Sequence, residues 1–117
     1  MDIKDLVGLG ERRLVEENKP DQALIAFTLA MGRYQRNLDE GDKRLCMKAC
    51  YGAWLVYFNH FCNYQKAFES IMTARDIADD IHQDQPKVYL LAGNIYQTIS
   101  EQNNDSRLMR RAYTYYY

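Results

Sequence analysis

The sequence predicts an all-α fold, an α-α superhelix of about three antiparallel helix hairpins, because a helical packing pattern and its turns repeat. The frame Ala-x3-Phe-x2-Ala at 23–30 returns as Ala-x3-Ile-x2-Ala at 67–74. Each copy follows a polar turn, at 18–21 and at 63–66. Small residues at this spacing let two helix backbones approach closely while the large residue fills the space beside them. No stretch alternates with a period of two, so we expect no strand.

The first two predicted helices form one hairpin. The first spans about 3–17, carries an apolar stripe that includes Leu6 and Leu14, and ends at the polar turn. Proline is preorganised for the first turn of a helix, so Pro20 predicts that the second helix follows at once, over about 21–37. Gly41, which lies among acidic residues, is expected to break the helical pattern.

The remaining helices are predicted from the same pattern of apolar stripes between polar turns. They are expected at about 43–62, 64–82 and 86–102, with a sixth beginning near Ser106. The second half of the third helix is apolar over most of its circumference. A helix of this kind must be contacted on several sides, so we expect it in the middle of the array.

Composition indicates one domain over residues 1–117 and excludes several classes of partner. The chain has 15 basic and 16 acidic residues, interspersed along its length. We therefore expect no direct nucleic-acid binding by this segment and no attraction to anionic membranes. The longest uncharged run, 49–65, contains Asn59, His60 and Asn63, which argues against a membrane span.

The start of the chain and its cysteines bear on compartment and metal binding. Met1 is followed by charged residues, so no signal peptide is visible and a cytoplasmic location is expected, unless an upstream leader was removed. Three cysteines within predicted helices argue against a disulfide framework. Cys50 and His60 would lie about 15 Å apart along one helix, too far for a shared zinc ion. We predict no metal and no cofactor, with a two-ligand site completed by another subunit as the open alternative.

A third signal follows Pro86, where the sequence reads Tyr89-x2-Ala92-Gly93-x2-Tyr96. With the two frames described above, it resembles the tetratricopeptide repeat family over nearly the whole chain. The spacing of the two frames is longer than that family's repeat, which is similar to the irregular repeats of bacterial regulatory and signalling proteins, including those of transcription regulation. The resemblance implies a scaffold in which the first helix of each hairpin lines a concave surface that binds a protein or peptide.

Position by position, the resemblance assigns polar residues to this concave surface. The expected groove residues are Arg12, Glu16, Asn59, His60, Asn94, Gln97 and Thr98. Members that clamp a terminal carboxylate use lysine and asparagine, whereas Gly8 stands at the first lysine position, so we predict no such clamp. Leu55 stands where the family has glycine and is expected to hold its helix away from its neighbour.

The sequence offers little for catalysis, and we predict that the chain is not an enzyme. His60 and His82 are its only histidines, and neither has a nucleophile in a recognisable frame. The aromatic residues are abundant, and we expect most of them to pack between helices. This set comprises Tyr51, Trp54, Phe58, Tyr64, Tyr89 and Tyr96. Stacking on a sugar or a nucleobase would require several of them to face the groove.

The chain ends in an aromatic cluster without polar residues to cap a helical array. Either further helices follow and the sequence is a fragment of a longer protein, or this end is a docking surface for a second copy or a partner. The residues of that possible assembly surface, which could form a homodimer, are Tyr113, Tyr116 and Tyr117.

Two hypotheses of different classes follow from these features. The first is a protein–protein interaction module, the scaffold or sensor part of a larger bacterial regulatory protein whose output domain lies outside this sequence. The alternative is a helical domain that binds a small ligand or a glycan through groove aromatics.

Overall fold

The computed structural model describes residues 1–82 and 86–103, and these residues form helices with no strand. The elements are α1 (Ile3–Val15), α2 (Pro20–Gly32), α3 (Glu40–Leu55), a π-helical turn (Val56–His60), α4 (Tyr64–Asp80) and α5 (Pro86–Asn103). The all-α prediction is therefore confirmed for the part of the chain that the structure describes.

Short polar side chains fix where three of the helices begin. The carboxylate of Asp2 accepts a hydrogen bond from the backbone N–H of Asp5 at 2.8 Å, and Asp39 does the same for Asp42 at 2.7 Å. Asn63 caps α4 by accepting from the N–H of Lys66 at 3.2 Å. Each cap satisfies a backbone donor that the first turn of a helix leaves without an intrahelical partner.

Two boundaries near the second turn differ from the predicted ones. The second helix ends at Gly32 rather than near residue 37, because the N–H of Arg33 turns back to the carbonyl of Ala30 at 3.1 Å. The third helix begins at Glu40 rather than near residue 43, since the Asp39 cap precedes Gly41 and carries the helix through it. A glycine in the first turn of a capped helix is thus no helix breaker here.

The third helix was predicted to be a continuous α-helix to residue 62, but its α-helical part ends at Leu55. From Val56 to His60 the backbone is π-helical, and the N–H of Phe61 donates to the carbonyl of Val56 at 3.2 Å. Cys62 then ends the helix in a left-handed conformation, with φ of 50°. The wider turn shifts the side chains that follow Leu55 relative to those on α3.

The first three helices meet around the ring of Phe27, which is almost completely buried. A Cβ atom added to Gly10 of α1 would lie 2.6 Å from Cε1 of this ring, and one added to Gly52 of α3 would lie 2.6 Å from its Cζ. The two glycines therefore hold the ring between them. The close approach of α3 to Phe27 is made at Gly52, whereas Leu55 is only partly buried, and its expected role in spacing α3 from its neighbour remains a prediction.

The helices pack mainly against their neighbours in sequence, and α1 also contacts α3. Buried apolar residues of α1 to α5 form one cluster that extends from Ile3 to Ala92. The helices that were predicted to be first in each hairpin are α1, α3 and α5, and their relative positions determine the site described below.

A small polar cluster joins the ends of α2 and α4 to the start of α3. The ammonium group of Lys43, a buried residue, lies 2.8 Å from Oδ2 of Asp80, and the hydroxyl of Tyr34 donates to the same oxygen. Hydrogen bonds from Lys43 and Tyr34 hold the pKa of Asp80 below its ordinary value. Burial, followed by the hydrogen bond to Asp80, raises the pKa of Tyr34 to about 12.

Candidate binding groove

A groove with a volume of about 460 Å³ lies between α1, α3 and α5. Its apolar and aromatic lining consists of Leu14 and Val15 of α1, Tyr51, Gly52, Trp54 and Leu55 of α3, Leu91 of α5, and the buried Phe27. Three charged residues, Glu11, Lys48 and Lys87, complete it. We call this surface the α1–α3–α5 groove.

Several apolar side chains of the groove remain accessible to solvent. Val15 is 79% exposed at the end of α1, while Leu14, Trp54 and Leu55 are partly buried. Leu91 and Phe27 are nearly inaccessible and belong to the core. Contiguous exposed apolar surface rimmed by charge is typical of binding sites. The α1–α3–α5 groove can therefore bury apolar groups of a ligand without moving its own core.

Aromatic contacts fix the orientation of Trp54 in the groove wall. Its ring stacks on Phe58 of the π-helical turn, with centroids 5.1 Å apart and planes inclined by 16°. Phe58 in turn meets the edge of Tyr64 at the start of α4, at 5.4 Å. Such pairs stabilise their geometry by about 0.5–1.5 kcal/mol each beyond simple burial. The π-helical turn thus supports one wall of the groove from behind.

The charged residues of the groove are not equivalent. Glu11 and Lys48 form an ion pair across α1 and α3, with Oε1 and Nζ separated by 2.9 Å. Lys87, in the first turn of α5, places its Nζ 4.7 Å from the centroid of the Tyr51 ring. The negative face of an aromatic ring attracts a cation at this distance. This contact directs the Lys87 ammonium towards the groove.

The predicted groove residues lie on α1 or its C-cap, on α5, or on the π-helical turn after α3, but none is among the residues that line the groove. Arg12 pairs with Glu17 at 3.9 Å, and Glu16 is the exposed C-cap of α1. Asn59 and His60 are exposed at the end of the π-helical turn. The assignment of these residues to a partner-binding groove remains a prediction.

The three predicted residues of α5 are engaged in contacts along their own helix. The hydroxyl of Thr98 donates to the carbonyl of Asn94 at 2.8 Å, and the amide of Gln97 donates to Glu101 at 3.2 Å. They lie farther along α5 than Lys87 and Leu91, the α5 residues that reach the groove. Their role as groove residues remains a prediction as well.

Sequence reasoning missed the apolar residues of the groove because it assigned them to the core. Tyr51 and Trp54, expected to pack between helices, are partly buried and line the groove with one face. The signal was present in α3, whose second half is apolar nearly all round. A helix of this kind can carry more apolar surface than its neighbours cover, and the excess on α3 forms the groove wall.

The other aromatic residues divide between packing and exposure. Phe58 and Tyr64 pack as described, and Tyr96 meets the edge of Phe68 at 5.1 Å, as expected for residues between helices. Tyr89 was expected to face inward but is 44% exposed. The buried stripe of α5 runs instead through Val88, Leu91, Ala92 and Ile95, a spacing of three and four residues that leaves position 89 outside it.

Two other expectations concern residues away from the groove. Cys46 and Cys50 are buried, whereas Cys62, two residues after the π-helical turn, is exposed. Within residues 1–82 and 86–103, no three His, Cys, Asp or Glu side chains are grouped closely enough to hold a metal ion. The possible assembly surface of Tyr113, Tyr116 and Tyr117 lies outside the described residues.

Comparisons with known proteins add no identification. No family model, no curated protein and no solved structure matches the chain. In the part of the chain for which helices are described, none is both long enough and apolar enough to cross a membrane.

Proposed function

We propose that this chain is a protein–protein interaction module of the tetratricopeptide type, whose α1–α3–α5 groove binds a segment of a partner protein or a peptide. The single observation that supports this proposal most strongly is the groove itself, an accessible apolar surface lined by the helices expected to come first in each hairpin. The module acts by presenting this surface and needs no covalent step. In a longer regulatory protein it would serve as the scaffold or sensor.

The composition of the groove supports a peptide as the occupant. Val15 is exposed at one end, so the apolar surface continues to the rim instead of ending inside an enclosed cavity. Burying one large apolar side chain stabilises a complex by about 1.5–3 kcal/mol. A partner helix or extended segment that inserts one or two such side chains uses a common mode of peptide recognition.

A second candidate, a small ligand with an aromatic or apolar body, is favoured by one observation. Tyr51 and Trp54 both line the groove, and its volume of about 460 Å³ lies within the range of about 300–1,000 Å³ that small-molecule sites occupy. A small ligand would depend more on these aromatic walls than on Val15, the most exposed apolar residue of the lining. The variants described next separate the two candidates.

The experiment begins with selection of binders from a random linear peptide library displayed on phage. Selected sequences are made as synthetic peptides, acetylated and amidated at their ends, and titrated while the fluorescence of Trp54, the only tryptophan of the chain, is recorded. The groove variant Val15→Asn, Leu55→Asn replaces two accessible apolar side chains. We expect it to weaken binding by at least about tenfold, since about 1.5 kcal/mol is lost for each buried apolar side chain.

A matched control removes a similar side chain from a different surface. Ile25 on α2 is 62% exposed and does not line the groove, so Ile25→Asn should leave the affinity unchanged. Equal weakening by both variants, or the absence of any peptide that depends on Val15 and Leu55, would contradict the proposal. A small molecule that competes with the peptide but is insensitive to Val15→Asn alone would favour the second candidate.

A further inference from the structure

We propose that the α1–α3–α5 groove selects a segment in which a large apolar side chain is accompanied by an acidic side chain, and that Lys87 binds the acidic group. This inference rests on the proposed function and specifies the chemistry of the partner. It is supported by the balance of charge at the rim, by the position of Lys87 on α5, and by its contact with Tyr51.

Among residues 1–82 and 86–103, the charge balance of the groove leaves one cation without a carboxylate. Of the three charged residues that line it, Glu11 and Lys48 neutralise each other across a distance of 2.9 Å. Lys87 makes no ion pair with any carboxylate of residues 1–82 and 86–103. A ligand that carries one negative charge would therefore complement the groove, whereas a ligand with a positive charge would be repelled by Lys87.

The position of Lys87 at the start of α5 strengthens its attraction for an anion. It is the second residue of a helix that begins at Pro86, where the backbone dipole contributes partial positive charge. A lysine at this end opposes the dipole and does not stabilise its own helix. A carboxylate placed beside Lys87 would be stabilised both by the lysine ammonium group and by the positive end of the α5 dipole. An acidic ligand would therefore offset the repulsion between Lys87 and this end of the helix.

The contact with Tyr51 orients Lys87 before a ligand arrives. Its ammonium lies 4.7 Å from the ring centroid of Tyr51, and both residues line the same groove. Long lysine side chains lose rotamer freedom when they form an ion pair, which offsets much of its benefit at a surface. A lysine that already lies over an aromatic ring loses less rotamer freedom when it forms an ion pair. The apolar part of the ligand would then lie farther in, against Leu14, Trp54 and Leu55.

The test uses the groove-dependent synthetic peptides from the library selection. We expect their sequences to be enriched in Asp or Glu next to a large apolar residue. Replacement of that acidic residue by its amide, Asp by Asn or Glu by Gln, should weaken binding to the original chain by about fivefold. The variant Lys87→Gln should show a similar loss for the acidic peptide and no preference between the two peptides.

A matched control and a salt titration complete the experiment. Lys19, in the turn between α1 and α2, is half-exposed and does not line the groove, so Lys19→Gln should retain the preference for the acidic peptide. The preference should also shrink when salt is raised to about 0.5 M, because mobile ions screen exposed charges.

The two possible failures are distinguishable. Equal affinities for the acidic and amide peptides, combined with no effect of Lys87→Gln, would overturn the role of Lys87 while the loss caused by Val15→Asn, Leu55→Asn left the groove as the binding site. A selection in which no peptide depends on Val15 and Leu55 would overturn the proposed function and this inference together.

Discussion

At the scale of single residues, Phe27 packs against Gly10 and Gly52, and this contact is possible because glycine has no Cβ. The ring is held on two sides by backbone that carries no Cβ, and it also forms part of the groove lining. Core packing and the shape of the candidate site therefore depend on the same three residues. Substitution of either glycine is expected to affect both.

We predict that Gly10→Ala destabilises the chain although alanine is the better helix former. The added Cβ would lie 2.6 Å from a ring that Gly52 confines from α3, and overpacking of this kind costs about 1–3 kcal/mol. The gain in helix propensity is about 1 kcal/mol, so we expect a net loss of up to about 2 kcal/mol in the free energy of unfolding. Urea denaturation followed by circular dichroism measures the difference.

The matched control lies two residues earlier in the same helix. A Cβ at Gly8 would meet nothing within 4 Å, so Gly8→Ala should stabilise the chain by about 0.5–1 kcal/mol. If both variants were stabilised equally, the ring of Phe27 would not be confined as described.

At the scale of helices, the ends of α2, α3 and α4 are joined by the cluster of Tyr34, Lys43 and Asp80. Lys43 lies on α3, Asp80 ends α4 and Tyr34 lies two residues after α2, so the cluster links the two hairpins that the sequence predicts first. A buried lysine requires a partner because an unpaired charge in the interior is costly. We therefore expect the pairing to be important for the relative position of these helices.

We predict that Asp80 contributes stability that depends on pH. Its pKa is lower in the folded chain than in the unfolded chain, so this contribution is present above the ordinary Asp value of about 4 and is lost as the pH falls through the folded pKa. Asp80→Asn should be less stable than the original chain at neutral pH, and the difference should shrink steadily in acid. Urea denaturation at several pH values measures this gap.

The exposed neighbour Asp79 provides the control, since its side chain lies outside the cluster. Asp79→Asn should give a small change at every pH. A gap for Asp80→Asn that stayed constant or widened in acid would contradict the role given to the carboxylate.

The helices themselves were predictable, whereas two features of their backbones were not. Apolar stripes and capping residues predicted each described helix to within several residues at its ends. The π-helical turn at Val56–His60 has no signature in a pattern of apolar spacing, since it depends on a backbone hydrogen bond between Phe61 and Val56. Gly41 was expected to break the helical pattern, but the Asp39 cap starts α3 before this glycine and the helix continues through it.

At the scale of the whole molecule, the groove residues predicted from the sequence differ from the residues that line the candidate groove. The polar residues assigned by family resemblance lie on α1 or its C-cap, on α5, or directly after α3, but apolar residues expected in the core line the groove. Hydrophobic periodicity cannot distinguish a side chain covered by the chain itself from one left for a partner. That distinction requires the positions of α1, α3 and α5 relative to one another.

Two surfaces with exposed apolar residues, the α1–α3–α5 groove and α2, make different predictions about where a partner binds. Ile25 and Leu29 on α2 are exposed, as is Val15 at the rim of the groove. The groove differs from the α2 surface in combining aromatic walls with charged residues at its rim. Its composition is the reason for assigning the binding function there.

The most direct test of this assignment is to map the bound peptide by NMR on a chain with labelled Val, Leu and Ile methyl groups. We predict that a selected peptide shifts the methyl signals of Val15, Leu14 and Leu55 and leaves those of Ile25 and Leu29 unchanged. Shifts confined to Ile25 and Leu29 would contradict the central claim and move the binding site to the surface of α2.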